Sequence, residues 1–184
     1  MPMTSRYAGM RVEAHSPDGS VHARLAVPGG LDLDYLPGGL DHTDDELERQ
    51  LRYVLRSLLA TATNAMSEAR GGTTSHDAPD GLDARVAAAR GERARELLET
   101  FDAVDDSADG SVHVRLTADG SIGVDIAYGA VDAHGGEHLV DEALHATRRL
   151  FAAQAARFDE VLDEVVNRMS RSELEERIHG GNRY

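Results

Sequence analysis

The chain has 184 residues, no cysteine, no tryptophan and a formal net charge of -14, which predicts one or two small soluble domains. The absence of cysteine excludes disulfides, thiolate nucleophiles and zinc-thiolate sites. No run approaches the roughly 20 apolar residues of a membrane span, and residues 1–9 lack a signal-peptide pattern. We therefore expect a cytoplasmic protein that has no membrane partner.

The basic residues are all arginine, and they are unevenly distributed. Residues 1–70 carry 7 Arg against 10 acidic residues (net -3), whereas residues 71–184 carry 12 Arg against 23 (net -11). An acidic chain has no general attraction for nucleic acid, but a local arginine stripe still contacts phosphates. The first part is the better place for a polyanion site.

The chain contains an internal duplication. At an offset of 91, residues 18–41 align with residues 109–132 without a gap, and 11 of the 24 positions are identical. Each copy begins with Asp-Gly-Ser-Val-His-x-Arg-Leu. A repeat of this kind indicates two copies of one supersecondary unit.

Each copy has the alternating pattern of a β-hairpin. Its apolar positions are Val21, Ala23, Leu25, Val27, Leu31, Leu33 and Tyr35 in the first copy, and Val112, Val114, Leu116, Ile122, Val124 and Ile126 in the second. We expect three-residue loops centred on Gly29 and Gly120. That register sets Arg24 opposite Asp34 and Arg115 opposite Asp125 on the outer face.

A preceding strand completes each copy, at Met10–Ala14 and around Phe101–Ala103, so each is predicted to be a three-stranded meander. Helices follow to cover the apolar faces. Thr43 caps the first helix, which runs to about Arg70 with a stripe at Leu47, Leu51, Val54, Leu55, Leu58 and Ala62. A helix over Leu82–Thr100 precedes the second copy, and a helix of about 30 residues begins near Gly136.

These elements predict an α+β fold made of two tandem meander-plus-helix repeats that form a pseudo-dimer. The first repeat covers residues 1–70 without a leading helix, residues 71–81 form a flexible linker, and residues 82–184 form the second repeat with its leading helix and a C-terminal tail.

The order of meander, glycine turn, strand-end Asp and acidic helix start resembles the YbaB/EbfC family of nucleoid-associated proteins. The resemblance covers most of residues 7–70 and 81–169. It implies a small, non-enzymatic DNA-binding dimer, here with both copies in one chain. A second interpretation is a protein-interaction adaptor or secretion-associated chaperone of the same fold, which the acidic composition favours.

Three groups of residues are candidates for binding. The helix arginines Arg49, Arg52, Arg56, Arg148 and Arg149 are candidates for contact with duplex DNA phosphates. His22 with Arg24, and His113 with Arg115, form repeated exposed pairs, which ordinary cross-strand pairing also explains. The wide apolar stripe of the long second helix predicts a homo-oligomer or partner contact at Phe151, Phe158 and Leu162.

The sequence favours no enzyme, cofactor or metal. Glu142 and His145 have the Glu-x-x-His spacing of helical di-metal sites, with His134, His138 and Asp141 nearby, but the first helix has no matching ligand pair. Sequence patterns typical of nucleophilic or phosphate-binding enzymes are also absent.

Overall fold

The computed structural model describes residues 8–27, 29–38, 40–71, 82–98, 102–117 and 119–169, together with residues 175 and 178. The predicted linker therefore lies outside the described residues beyond Gly71. Among the described helices, none has the length and hydropathy needed to cross a membrane.

The first sheet is an antiparallel meander of β1 (Arg11–His15), β2 (Val21–Ala26) and β3 (Gly30–Tyr35). Alternation sends one set of side chains into the core, and these are Val12, Ala14, Val21, Ala23, Leu31 and Leu33. The second sheet repeats this arrangement with β4 (Ala103–Asp106), β5 (Val112–Leu116) and β6 (Ile122–Ile126). The predicted α+β class and the two three-stranded meanders are confirmed.

The predicted hairpin register is wrong by two residues in both copies. Arg24 lies opposite Asp32, and Arg115 lies opposite Gly123. In the second hairpin the N–H of Gly120 donates to the Thr117 carbonyl at 2.9 Å, and Gly120 has φ 80°. Gly120 is therefore the last residue of the loop and not its centre. Three-residue hairpin loops usually place a residue with left-handed backbone angles at this last position. A shift of two keeps the same faces buried.

The first long helix, α1, spans Asp44–Gly71 and begins as predicted. The N–H of Thr43 donates to the Glu46 carboxylate at 2.9 Å, and the Glu46 N–H returns a bond to Thr43 Oγ1. The whole predicted apolar stripe is buried. This helix packs on β1 and β2 of the first sheet and also along β6 of the second.

The chain also contains α2 (Leu82–Leu98), a short α3 (Ala130–His134) that the sequence patterns did not indicate, and α4 (Gly136–Asp163), which continues into a π-helical turn at Glu164–Arg168. The buried face of α4 matches that of α1 at an offset of 92: the pairs are Leu47 and Leu139, Leu51 and Ala143, Val54 and Ala146, Leu55 and Thr147, and Leu58 and Leu150.

Two compact units divide the chain. One contains both sheets, α1, α3 and α4 up to Phe151; the other contains α2 and the chain from Ala152 onward. In the second unit α2 packs on the π-helical turn, and Arg93 forms an ion pair with Glu164 at 3.2 Å. Ala89, Val161 and Val165 are buried there.

Candidate nucleic-acid interface

A shallow groove lies on α1, and carbon atoms make up most of its accessible lining. Its lining consists of Arg49, Arg52, Tyr53, Arg56, Ser57 and Ala60. Three arginines and no carboxylate side chain line this groove, in a chain that has more acidic than basic residues. The predicted stripe Arg49, Arg52 and Arg56 therefore lies together on one surface.

Arg52 binds the main chain of β6. Its guanidinium donates to the Val124 carbonyl at 2.8 Å, and carboxylates of Glu48 and Asp125 lie beside it. Glu48 in turn accepts the Ile126 N–H at 3.1 Å. These bonds satisfy main-chain groups of an edge strand, which would otherwise lack partners within the sheet. Arg52, a candidate for phosphate contact, therefore has its charge compensated by Glu48 and Asp125.

Arg56 and Arg49 are both exposed and form no ion pair among the described residues, although the charge of Arg49 interacts with that of Glu46. Arg56 donates from Nε to the Ile122 carbonyl at 3.0 Å, a neutral acceptor that leaves the positive charge uncompensated. Arg49 is exposed, and among the described residues no hydrogen bond or ion pair holds its guanidinium. These two arginines and the half-exposed Tyr53 between them are accessible in the groove.

The two candidate arginines of α4 differ from each other. Arg148 donates from Nε to the Leu31 carbonyl at 2.9 Å, so it holds the edge of β3. Arg149 pairs with the Asp105 carboxylate and also donates to the Asp106 carbonyl at 3.1 Å. A carboxylate therefore compensates Arg149, whereas Arg148 meets a neutral carbonyl.

The repeated strand pairs are less alike than their sequences. Arg24 bridges Asp32 at 2.8 Å and Asp34 at 2.7 Å. His22 was expected to be exposed, but its side chain is only 16% exposed and stacks on His15. The shielding comes from that cross-strand neighbour, which the predicted register did not reveal.

In the second copy His113 bonds Asp106 at 2.6 Å. Arg115 is exposed and has no ion-pair partner within the described part of the chain. Asp125, its predicted partner, lies opposite His113 and 3.5 Å from Arg52.

The predicted partner contact on α4 is partly covered. Phe151 and Phe158 are half-buried, and Leu162 is 38% exposed. Leu162 and Val166 are the large apolar side chains that remain exposed near the end of this helix in the described region.

Sequence patterns missed an acidic pocket next to the start of α1, lined by His42, Thr43, Asp44, Asp45, Tyr128, Gly129, Val131 and Asp132. Asp44 is committed to structure because it accepts the N–H groups of Gly129 and Val131 at 2.6 and 2.8 Å. Tyr128 is fully exposed. A lone tyrosine in a turn carries no periodic signal, so sequence reasoning had nothing by which to find it.

A duplicated Ser-Asp-Ser turn joins the first two strands of each sheet. Asp18 accepts bonds from Ser16 Oγ and from Ser20, and its second oxygen contacts Nε2 of His42 at 2.9 Å. Burial works to raise the pKa of Asp18, but the bonds from His42 and the serines outweigh burial and lower this pKa. The bound carboxylate is therefore anionic near neutral pH.

The equivalent turn in the second copy uses a different histidine position. Asp109 accepts bonds from Ser111 and Ser107 and contacts Nε2 of His138 at 3.0 Å. The Ser111 hydroxyl, His138 and Ser107 lower the pKa of Asp109, and the bond to Asp109 raises the pKa of His138. The two histidines lie 24 and 29 residues after their aspartates, so the 91-residue offset does not pair them.

Two groups of side chains have the spacing of metal ligands within the described residues: Glu13 with His15 and His22, and Asp109 with His134 and His138. Glu142 and His145, the pair with helical di-metal spacing, belong to neither group. Glu142 instead contacts the Ala108 N–H at 3.4 Å.

Comparison with protein-family models, curated proteins and solved structures finds no match to this chain. The resemblance to the YbaB/EbfC family therefore stays a prediction.

Proposed function

We propose that this chain is a non-enzymatic protein that binds duplex DNA through the groove on α1, without reading bases, as a nucleoid-associated or regulatory factor of the cytoplasm. The observation that supports this function is that two exposed arginines of that groove, Arg49 and Arg56, form no ion pair among the described residues, whereas Glu48 and Asp125 compensate Arg52. Arginine contacts to phosphates supply binding that is independent of sequence.

The spacing of the two available charges suits a phosphate backbone. Arg49 and Arg56 are seven residues apart, or about 10 Å along the helix axis at 1.5 Å per residue. That distance is about three base-pair steps of duplex DNA at 3.4 Å each. The bond from Arg56 Nε to the Ile122 carbonyl fixes the stem and leaves the terminal nitrogens for a phosphate. A side chain held in this way loses less conformational entropy on binding.

We further infer that the two repeats form a pseudo-dimer. Arg56 of the first repeat donates to the Ile122 carbonyl, and Arg148 of the second donates to the Leu31 carbonyl. Leu31 and Ile122 are equivalent at the 91-residue offset. An arginine on the helix of each repeat therefore donates a hydrogen bond to the edge strand of the other repeat. Reciprocal contacts of this kind are the mark of a two-fold interface.

The proposed DNA face belongs to the first repeat alone. At the offset of 92 that matches the buried faces of the two helices, exposed Asp141 occupies the position of Arg49, and His145 that of Tyr53. A phosphate would be repelled by Asp141. We therefore expect a single short contact rather than two symmetric ones.

The test is the salt dependence of binding to a duplex of arbitrary sequence, measured by fluorescence anisotropy between 20 and 200 mM salt. Each phosphate contact contributes about 0.9 to the slope of log K against log salt. The double variant Arg49→Ala, Arg56→Gln should lower the slope by about 1.8 for every duplex tested. Arg149→Ala is the matched control, because it removes a charge that Asp105 already compensates.

If the double variant binds with the same affinity and salt dependence as the parent, the groove is not the DNA-binding site. No binding by the parent at 20 mM salt would reject a DNA-binding function. A slope that falls as much per arginine removed in the Arg149 control as in the double variant would show that net charge, and not the groove, governs binding.

The acidic pocket favours a second candidate function, a protein-interaction adaptor. Fully exposed Tyr128 lies in this pocket with exposed Asp45 and Asp132. Tyrosine is enriched at the centres of protein interfaces, and an acidic rim selects a basic partner. Under this alternative, Tyr128→Ala abolishes capture of an arginine-rich or lysine-rich partner while DNA binding is absent from the parent.

A further inference from the structure

We propose that Glu13, His15 and His22, on the outer face of the first sheet, form a binding site for a divalent transition-metal cation of the Zn²⁺ class. The proposal is independent of DNA binding, because none of the three residues lines the groove on α1.

Strand register brings the three side chains together. Glu13 and His15 are two residues apart on β1, so they project from the same face. His22 lies directly opposite His15 on β2. The two imidazole rings stack with centroids 4.0 Å apart and planes 7° apart. One donor atom from each of the three residues lies within 4.8 Å of the others.

An unsatisfied nitrogen supports a ligand at this place. Nε2 of His22 is buried and has no hydrogen-bond partner, and the nearest carboxylate oxygen of Glu13 is 3.7 Å away. A buried polar atom without a partner is uncommon and calls for a water or an ion. The side chain cannot turn this atom freely to bulk solvent, because it is only 16% exposed and is stacked on His15.

The charges around the three residues leave room for a cation. Arg24 is bonded to Asp32 and Asp34. Among the described residues, Glu13 has an ion-pair distance of 4.0 Å or less only to His22. Asp34 also lies 4.0 Å from Nδ1 of His22, on the ring edge away from the Glu13 contact. The same Asp34 oxygen accepts the 2.7 Å bond from Arg24, so it lies beside the imidazole without a hydrogen bond to it.

Two imidazoles and one carboxylate are a ligand set that suits Zn²⁺ and its first-row neighbours. Bonds of about 2.0–2.1 Å in tetrahedral geometry place ligand atoms about 3.3 Å apart. Because the lone pair of an imidazole nitrogen lies in the ring plane, exposed His15 must rotate out of its parallel stack on His22 for both rings to bind one cation. The outward face leaves the fourth position to water.

The second sheet lacks an equivalent site and so provides an internal control. At the 91-residue offset, Glu13, His15 and His22 correspond to Val104, Asp106 and His113. His113 already bonds Asp106 at 2.6 Å. One histidine and one carboxylate, with no third ligand from Val104, hold a cation weakly.

The other group of possible ligands is a weaker candidate. Asp109, His134 and His138 are all exposed. Asp109 uses one oxygen for the serine bonds and the other for His138, so its acceptors are occupied. No buried unsatisfied nitrogen accompanies this group within the described residues.

The experiment is calorimetric titration of the tag-free chain with ZnCl₂ near pH 7.5, together with NMR of the histidine ring resonances. His15→Ala and Glu13→Ala should each weaken the affected site at least about tenfold, because each removes one of three ligands. His113→Ala should bind as the parent does, and circular dichroism checks that all variants fold. Zn²⁺ should shift the His15 and His22 resonances and leave His113 unmoved.

Zn²⁺ affinity at least about tenfold weaker in both ligand variants, with the parent affinity kept in His113→Ala, supports the site. A formed site should bind Zn²⁺ with a Kd in the micromolar range or tighter. The proposal is therefore overturned if the parent binds no Zn²⁺ at about 100 μM. Binding that persists in His15→Ala and Glu13→Ala but disappears in His134→Ala also overturns it, because it assigns the cation to the second sheet.

Discussion

The two Ser-Asp-Ser turns allow one interaction to be compared in two environments. Asp18 and Asp109 each accept the same serine bonds and one histidine contact. The His42 side chain is 4% exposed, whereas that of His138 is 43% exposed. We predict that Asp18→Ala destabilises the protein more than Asp109→Ala does.

The magnitude follows from the groups that each variant leaves unpaired. Asp18→Ala removes the acceptor of the Ser20 N–H and leaves Nε2 of buried His42 without its partner. A buried polar group without a partner costs about 1–3 kcal/mol, so the expected loss for Asp18→Ala is about 3 kcal/mol. For a chain of this size that loss corresponds to a fall in Tm of about 6–12 °C. In Asp109→Ala, water replaces the lost partner of exposed His138.

Urea unfolding followed by circular dichroism and tyrosine fluorescence measures both variants. Equal losses in the two variants, or a larger loss for Asp109→Ala, would refute the reasoning from histidine burial. His42→Ala is a further check, because combining it with Asp18→Ala should cost less than the sum of the single changes.

The pH dependence has a definite sign. Because the folded pKa of Asp18 and of Asp109 is lowered, their stabilisation is present above the unfolded pKa near 3.9 and is lost as pH falls through the folded value. The pKa of His138 is raised. Its contribution is therefore full below the unfolded pKa near 6.5 and is lost as pH rises through the raised value. The cost of Asp109→Ala should shrink at alkaline pH.

Two other predictions concern α4. A Cβ at Gly136 would lie 2.6 Å from the Tyr35 ring, whose hydroxyl contacts His42 at 2.9 Å. Gly136→Ala should therefore displace Tyr35 and lower the free energy of unfolding by about 1–2 kcal/mol. Unchanged stability with an unmoved Tyr35 resonance would contradict this packing. We also expect the parent to sediment as a homodimer or larger assembly. Phe158→Asp changes the centre of the proposed contact and should weaken association by about 2 kcal/mol or more. A parent protein that is monomeric at high concentration would rule out this contact.

The sequence alone determined the elements whose causes are local or repeated. The apolar stripe of α1, its Thr43 and Glu46 cap, and the alternating faces of both hairpins follow from residues within a few positions of one another. The duplication added the expectation that both copies share one plan, and the two meanders confirm it. The predicted register is wrong by two residues for a geometric reason. Moving the centre of a hairpin loop by one residue shifts the cross-strand pairing by two, and such a shift leaves the same side chains on each face of the sheet.

Only the tertiary structure decided what the polar residues contact. Periodicity assigns Arg52 and Arg56 to solvent, but β6, more than 60 residues away in sequence, lies beside that flank of α1 and uses both side chains to satisfy its edge. His15 and His22 are neighbours because two strands pair, and His42 and His138 reach equivalent aspartates from positions that the offset does not relate. A sequence pattern records which face of an element is apolar, whereas the partner of a polar side chain depends on which distant strand or turn packs against it.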